Sequence, residues 1–206
     1  MNPLMYAALG CHAVIVVLEA RTLGALRRKA HILKYYTYLQ NLLAMLVSGV
    51  FAVGMIVSAV TGNLLPPWLK GLHYITLCGL LTAALIYLLL LASNPVNRLS
   101  ARDFRPGFSP FRGDLTLHGI CPAVSLAAFL MEHSVPLTDG IWTAFAPLPS
   151  GLYWIVYLLL SVFRLWQEPY DFSRPDGKKR PLLDALIILA IPAGFILISF
   201  LLWQTQ

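Results

Sequence analysis

Few residues in this chain could carry chemistry, and most of them lie inside long apolar runs. They are His12 and Glu19; Thr37, Gln40 and Asn41; His73 and Thr76; Thr116, His118, Ser125 and Glu132; and Tyr153, Tyr157 and Arg164. Polar and ionisable groups within a membrane helix are costly and face a bundle interior or a cavity, so they are the first places to look for function. Thr37 stands three residues after Lys34, and His118 four residues after Asp114. At 1.5 Å per residue each lies about one turn in from the same end of its helix. Arg164 closes a later run at that layer, followed by Glu168 and Asp171. A hydroxyl, an imidazole and carboxylates in one layer are the material of nucleophilic catalysis. Threonine needs a neighbouring base to take its proton as it attacks, and histidine titrates in the required range. Pro122 adds a local signal: it cannot donate to the carbonyl of residue 118, and the resulting kink can open a pocket beside the imidazole.

Each of these residues also has a purely structural reading. Threonine in a membrane helix commonly bonds its own backbone or a neighbouring helix, and a single intramembrane histidine is commonly an interhelical hydrogen bonder. Glu19 and Arg164 can snorkel to the interface or pair with each other. Asn41, one turn after Thr37, is a candidate oxyanion donor as well as a structural asparagine. His73 and His133 sit near the ends of adjacent runs, which raises bis-histidine haem ligation. His133 is flanked by Ser134 and close to Pro136, however, so both histidines are read as interface residues. Cys11, Cys78 and Cys121 are widely spaced and each within an apolar run, so they suggest packing rather than a disulfide framework or a metal pair.

The elements that must position these groups are membrane helices. The 206 residues are 58% hydrophobic and 12% charged, against about 25% charged for a soluble domain. Apolar segments fall at roughly 4–24, 35–61, 70–93, 115–132, 150–167 and 182–203, each near the ~20 residues that cross a bilayer. The breaks between them are rich in Pro, Gly and charge. This predicts an all-α, polytopic membrane protein: one domain over 1–206, a bundle of six transmembrane helices. The first run has no basic segment ahead of it and carries Glu19 near its end, so it reads as an uncleaved first span. Of 15 basic residues, all but Lys70 fall around the first, third and fifth connections. Cytoplasmic loops retain Lys and Arg, so those three connections are predicted to be cytoplasmic and both termini extracytoplasmic. Trp68, Trp142 and Trp203 then fall near the outer boundary. The net charge of +6 is thus a topology signal, and no basic stripe interleaved with aromatics is present for nucleic acid.

Taken in order, the motifs resemble the androgen-induced-gene family of six-helix intramembrane threonine hydrolases and its bacterial relatives. Lys34-Tyr35-Tyr36-Thr37-Tyr38-Leu39-Gln40-Asn41 is similar to the family's aromatic-Thr segment opening the second span. Leu117-His118-Gly119-Ile120-Cys121-Pro122 resembles its His and Pro at the start of the fourth. Tyr153, Tyr157 and Arg164 resemble its fifth span, and Tyr74-Ile75-Thr76, Gly79 and Tyr87-Leu88-Leu89-Leu90 are looser matches in the third. The resemblance implies a Thr37 nucleophile and a His118 base acting on lipid esters, with fatty acid esters of hydroxy fatty acids as the substrate class, through an acyl-enzyme and without metal or organic cofactor. Where the family shows an Asp after the fifth span, this chain has Arg174, so either Asp171 or Glu168 is left to orient His118 or no carboxylate is needed. The partners implied are a membrane lipid and the bilayer. The location is the plasma (inner) membrane in a bacterium, or an endomembrane or plasma membrane in a eukaryote. The competing expectation is a non-catalytic lipid-binding or accessory membrane protein of the same fold.

Overall fold

The structure is a computed structural model that describes residues 2–27, 35–88, 103–135, 137, 140–163 and 181–205, with the side chains of 157, 158, 161, 162 and 181–192 excepted. All regular elements among these residues are helices: α1 Pro3–Ala25, α2 Tyr36–Thr61, α3 Pro67–Ile86, α4 Pro110–Met131, α5 Ile141–Phe145, α6 Leu148–Val162 and α7 Pro181–Gln204. The first four are long and apolar enough to cross a membrane.

Local sequence accounts for the helix ends. Asn2 caps α1, its side-chain oxygen accepting from the Met5 N–H at 2.9 Å, with Pro3 at the first helical position where a missing N–H costs nothing. At the end of α2, Gly62 takes the left-handed conformation (φ 74°) and its N–H closes on Ser58 O at 2.9 Å. Pro66 and Pro67 then open α3. The fourth long helix begins at Pro110, five residues before the apolar run that marks it, because a proline at the first position lets the helix start within the polar segment.

The inward faces follow helical spacing. On α1 they are Met5, Ala8, His12, Ile15, Glu19 and Thr22; on α2, Thr37, Gln40, Asn41, Ala44, Ser48, Phe51 and Met55. The opposite face of α2 presents Leu46, Val50, Val53, Ile56, Val57 and Val60 to the surroundings. Apolar outside and polar inside suits a lipid solvent and inverts the order of a water-soluble bundle. α3 is the central helix: 72% of its apolar stretch is buried, against 22% to 44% for the other three long helices. It packs on α2, α4 and α7, while α1 packs on α2 and α4.

Two ends can be distinguished. At the first, Leu26 and Phe104 form an isolated antiparallel bridge, with Arg27 N–H to Asp103 O at 2.9 Å and Arg105 N–H to Ala25 O at 2.8 Å. The connections after α1 and before α4 are therefore tied together at one end, as their shared basic character predicts. At the other, the Gly62–Pro66 turn lies near the start of α1, where Met5 and Ala8 pack on Met55, Leu69 and Val135. α7 finishes there too, since Ser199 accepts from the Tyr74 hydroxyl near the start of α3.

Candidate functional site

Thr37 and His118 both lie toward the bridge end, Thr37 in the first turn of α2 and His118 about two turns into α4. Thr37 is 7% exposed and His118 8%. The helix around His118 is not regular. Residues Thr116–Ile120 form a π turn, and the Cys121 N–H reaches back five residues to Thr116 O. In that register the N–H of residue 122 would serve Leu117 O, and Pro122 has none. The carbonyl freed by the proline is thus that of Leu117, one residue before the one expected from an α-helical register. Asn41 finds it: its Nδ2 donates to Leu117 O at 3.4 Å and to Thr37 O, one turn back on α2, at 2.8 Å. One carboxamide nitrogen joins the turn that carries Thr37 to the turn that carries His118.

That geometry decides the role of Asn41. Both of its acceptors are main-chain carbonyls, so the nitrogen must face them and its two hydrogens are committed. No N–H is left for an oxyanion, and Oδ1, an acceptor, has no hydrogen-bond partner among the described residues. The geometry therefore offers no oxyanion donor at Asn41 and shows instead a link between two helices.

Around this pair, Tyr87 at the end of α3 stacks on the His118 ring with centroids 3.6 Å apart and planes 7° apart. Tyr36 packs on Tyr153, and its hydroxyl meets Ser150 Oγ at 2.5 Å, so α6 is held against the start of α2. Tyr38 packs with Leu23, Leu26, Phe104 and Leu117. Tyr35 meets Tyr38 edge-on, with ring centroids 5.5 Å apart. His118 Nδ1 has no hydrogen-bond partner among the described residues. Glu168 and Asp171, the carboxylates expected to orient the ring, lie outside the described residues, as does Arg164. Gln40 is fully buried with its carboxamide against Gly79, where a Cβ would collide with it.

Glu19 does not snorkel. It is fully buried with the Cys121 thiol beside its carboxyl, because the inward stripe of α1 carries it into the bundle.

A second polar cluster lies toward the other end, and no local motif announces it. Glu132, at the end of α4, accepts from His12 Nε2 at 2.8 Å and from His73 Nδ1 at 2.9 and 3.0 Å. His73 Nε2 meets Ser125 Oγ at 3.0 Å. Lys70 Nζ donates to Phe129 O at 2.8 Å and Glu132 O at 3.1 Å, and stands 3.6 Å from Glu132 Oε2. His73 is therefore a core residue and not an interface residue, since the inward face of α3 points it at Glu132; His133 is exposed, as expected. Lys70 is also internal, which removes the one exception to the basic bias between connections. The two clusters are separated along α4 by the fourteen residues from His118 to Glu132, roughly 20 Å.

No protein-family model matches this chain, and no curated protein or solved structure matches it.

Proposed function

We propose that the chain is an intramembrane lipid-ester hydrolase with Thr37 as nucleophile and His118 as base, built on six membrane-spanning helices with both termini outside the cytoplasm. The observation that supports it most is the Asn41 carboxamide, which ties the turn of Thr37 to the turn of His118. A structural threonine and a structural histidine on separate helices need no such link. The π turn supports it further, since π turns recur at functional positions.

In this reading the Thr37 hydroxyl attacks the ester carbonyl while His118 takes its proton. The same imidazole returns the proton to the departing hydroxy lipid. A water that gives its proton to His118 then attacks the acyl-Thr37, and the Thr37–acyl bond breaks as His118 returns that proton to the Thr37 oxygen, releasing the fatty acid. The apolar outer faces of the helices admit the acyl chain from the bilayer, and the ester reaches the polar layer at the basic end. The carboxylate assigned to orient His118 in this reading is that of Glu168 or Asp171, since Nδ1 has no partner among the described residues. Fatty acid esters of hydroxy fatty acids, the class implied by the resemblance, are the substrates to try first.

The test is labelling of detergent-purified protein with a fluorophosphonate probe, alongside release of fatty acid from such an ester. Thr37→Ala should abolish labelling, and His118→Ala should lower labelling and hydrolysis by at least about 100-fold. Labelling that is equal in the wild type and both variants overturns the assignment.

A further inference from the structure

We infer that His12, His73 and Glu132 form a binding site for one divalent transition-metal ion, zinc being the ion its donor set fits best. The site is separate from the hydrolase layer, and its argument uses nothing from it.

Two imidazoles and a carboxylate on three different helices point at one another. Their donor atoms lie within 4.8 Å of one another, and all three side chains are at most 1% exposed. Two imidazoles with one carboxylate is a recurrent zinc set, at bond lengths of about 2.0–2.2 Å. Ligands at those lengths around a tetrahedral ion sit ~3.4 Å apart. The observed nitrogen-to-oxygen separations of 2.8 to 3.0 Å need to widen by about half an ångström, within the reach of side-chain torsions.

The exchange changes tautomers. Against the carboxylate, His12 Nε2 and His73 Nδ1 carry hydrogens; to bind a metal, each ring carries its hydrogen on the far nitrogen instead. For His73 that nitrogen, Nε2, already faces Ser125 Oγ at 3.0 Å, an acceptor in place to fix the required tautomer and ring orientation. For His12 the far nitrogen, Nδ1, has no partner among the described residues, so a hydrogen there lacks an acceptor and weakens the site. No proton leaves the protein, and no redox step is involved. The rings are held from outside: His12 stacks on Phe51 with centroids 4.6 Å apart, and Phe129 meets His73 edge-on at 5.6 Å.

Lys70 opposes the ion and sets its affinity. Its ammonium balances Glu132, so a divalent ion adds its charge to a neutral cluster in a medium of low dielectric. The same ammonium is drawn aside by two main-chain carbonyls and by the Phe129 ring 4.1 Å away. The site is therefore a weak one that strengthens when Lys70 is removed, the reverse of what a plain buried ion-pair network predicts.

The experiment uses the full chain in detergent, stripped with a chelator and titrated with Zn²⁺ against a colorimetric zinc indicator. Wild type should take up one equivalent. Lys70→Met should bind at least tenfold more tightly, Ser125→Ala about tenfold more weakly, and a His12→Gln, His73→Gln, Glu132→Gln variant should take up none. Wild type that takes up no more zinc than that triple variant overturns the inference. Should the triple variant fail to fold, Co²⁺ added to the wild type provides the second reading. A visible d–d absorption displaced by Zn²⁺ supports the site, and its absence overturns it.

Discussion

Asn41 shows how one side chain can set the geometry of two others. Its amide hydrogens span the carbonyls of Thr37 and Leu117, and a group that bridges two helices through buried carbonyls cannot be swapped for its isostere. Asn41→Asp places carboxylate oxygens against two carbonyl oxygens with no hydrogen between them, and Asn41→Ala leaves Leu117 O without a donor. Losing a buried partner costs about 1–3 kcal/mol. We expect both variants to lower the thermal midpoint and kcat while leaving KM near its wild-type value, because the substrate still binds and only the reacting groups are displaced. Wild-type kcat in Asn41→Ala would show that the bridge positions nothing. That the turns of Thr37 and His118 lie near each other was legible from their equal depth, counted from the charged ends of their runs. His12, His73 and Glu132 were visible one by one but not as a cluster: no local motif links them, and the cluster exists only when α1, α3 and α4 are brought together. A depth comparison would have found it, since His12, His73 and Glu132 all fall toward the same ends of their spans.

At the scale of elements, the feature that matters is the π turn in α4. An α-helix through Thr116–Ile120 would leave the carbonyl of His118 unserved by Pro122, whereas the five-back register passes that deficit to Leu117, where Asn41 can meet it. Pro122→Ala supplies the missing N–H and removes the reason for the wider register. A regular helix would draw residues 110–118 inward by about 1.5 Å and rotate them by about 100° relative to the rest of α4. We expect the variant to be as stable as the wild type or more so, and its ester hydrolysis to fall by at least about 100-fold, as misplacing a reacting group by that distance does. Unchanged hydrolysis with a regular helix would mean that the turn is incidental. The proline was visible in the sequence as a kink signal, but the register change was not, because hydropathy and turn residues do not separate a π turn from an α turn. The limits of α1, α2 and α7 and the starts of α3 and α6 were legible to within a few residues, while the expected ends at 93 and 167 lie outside the described residues; the early start of α4 at Pro110 was not legible, nor was the short α5, whose Trp142 ring packs where a Cβ on Gly71 would be.

For the whole molecule, the arrangement of charge and the arrangement of contacts point the same way. The basic connections after α1 and before α4 are paired through Leu26 and Phe104. Asn2 and Thr205 both stand at the opposite end, where Lys70 has proved to be an internal residue rather than a loop cation. The proposed six crossings, with the basic end in the cytoplasm, would produce this arrangement, because Lys and Arg in short loops are held back from translocation. The side exposed to each compartment can be read with a membrane-impermeant maleimide on sealed cells. Native cysteines give little background: Cys78 and Cys121 are buried, and Cys11 lies within α1. Asn63→Cys and Thr205→Cys, both at exposed positions of the Pro66 end, should label from outside without lysis. Pro106→Cys, exposed at the bridge end, should label only after lysis. An odd number of crossings would instead separate positions 63 and 205 in this assay, and a reversed orientation would exchange all three. That result would also put the Thr37 and His118 layer on the other leaflet, and so change which pool of lipid can reach it.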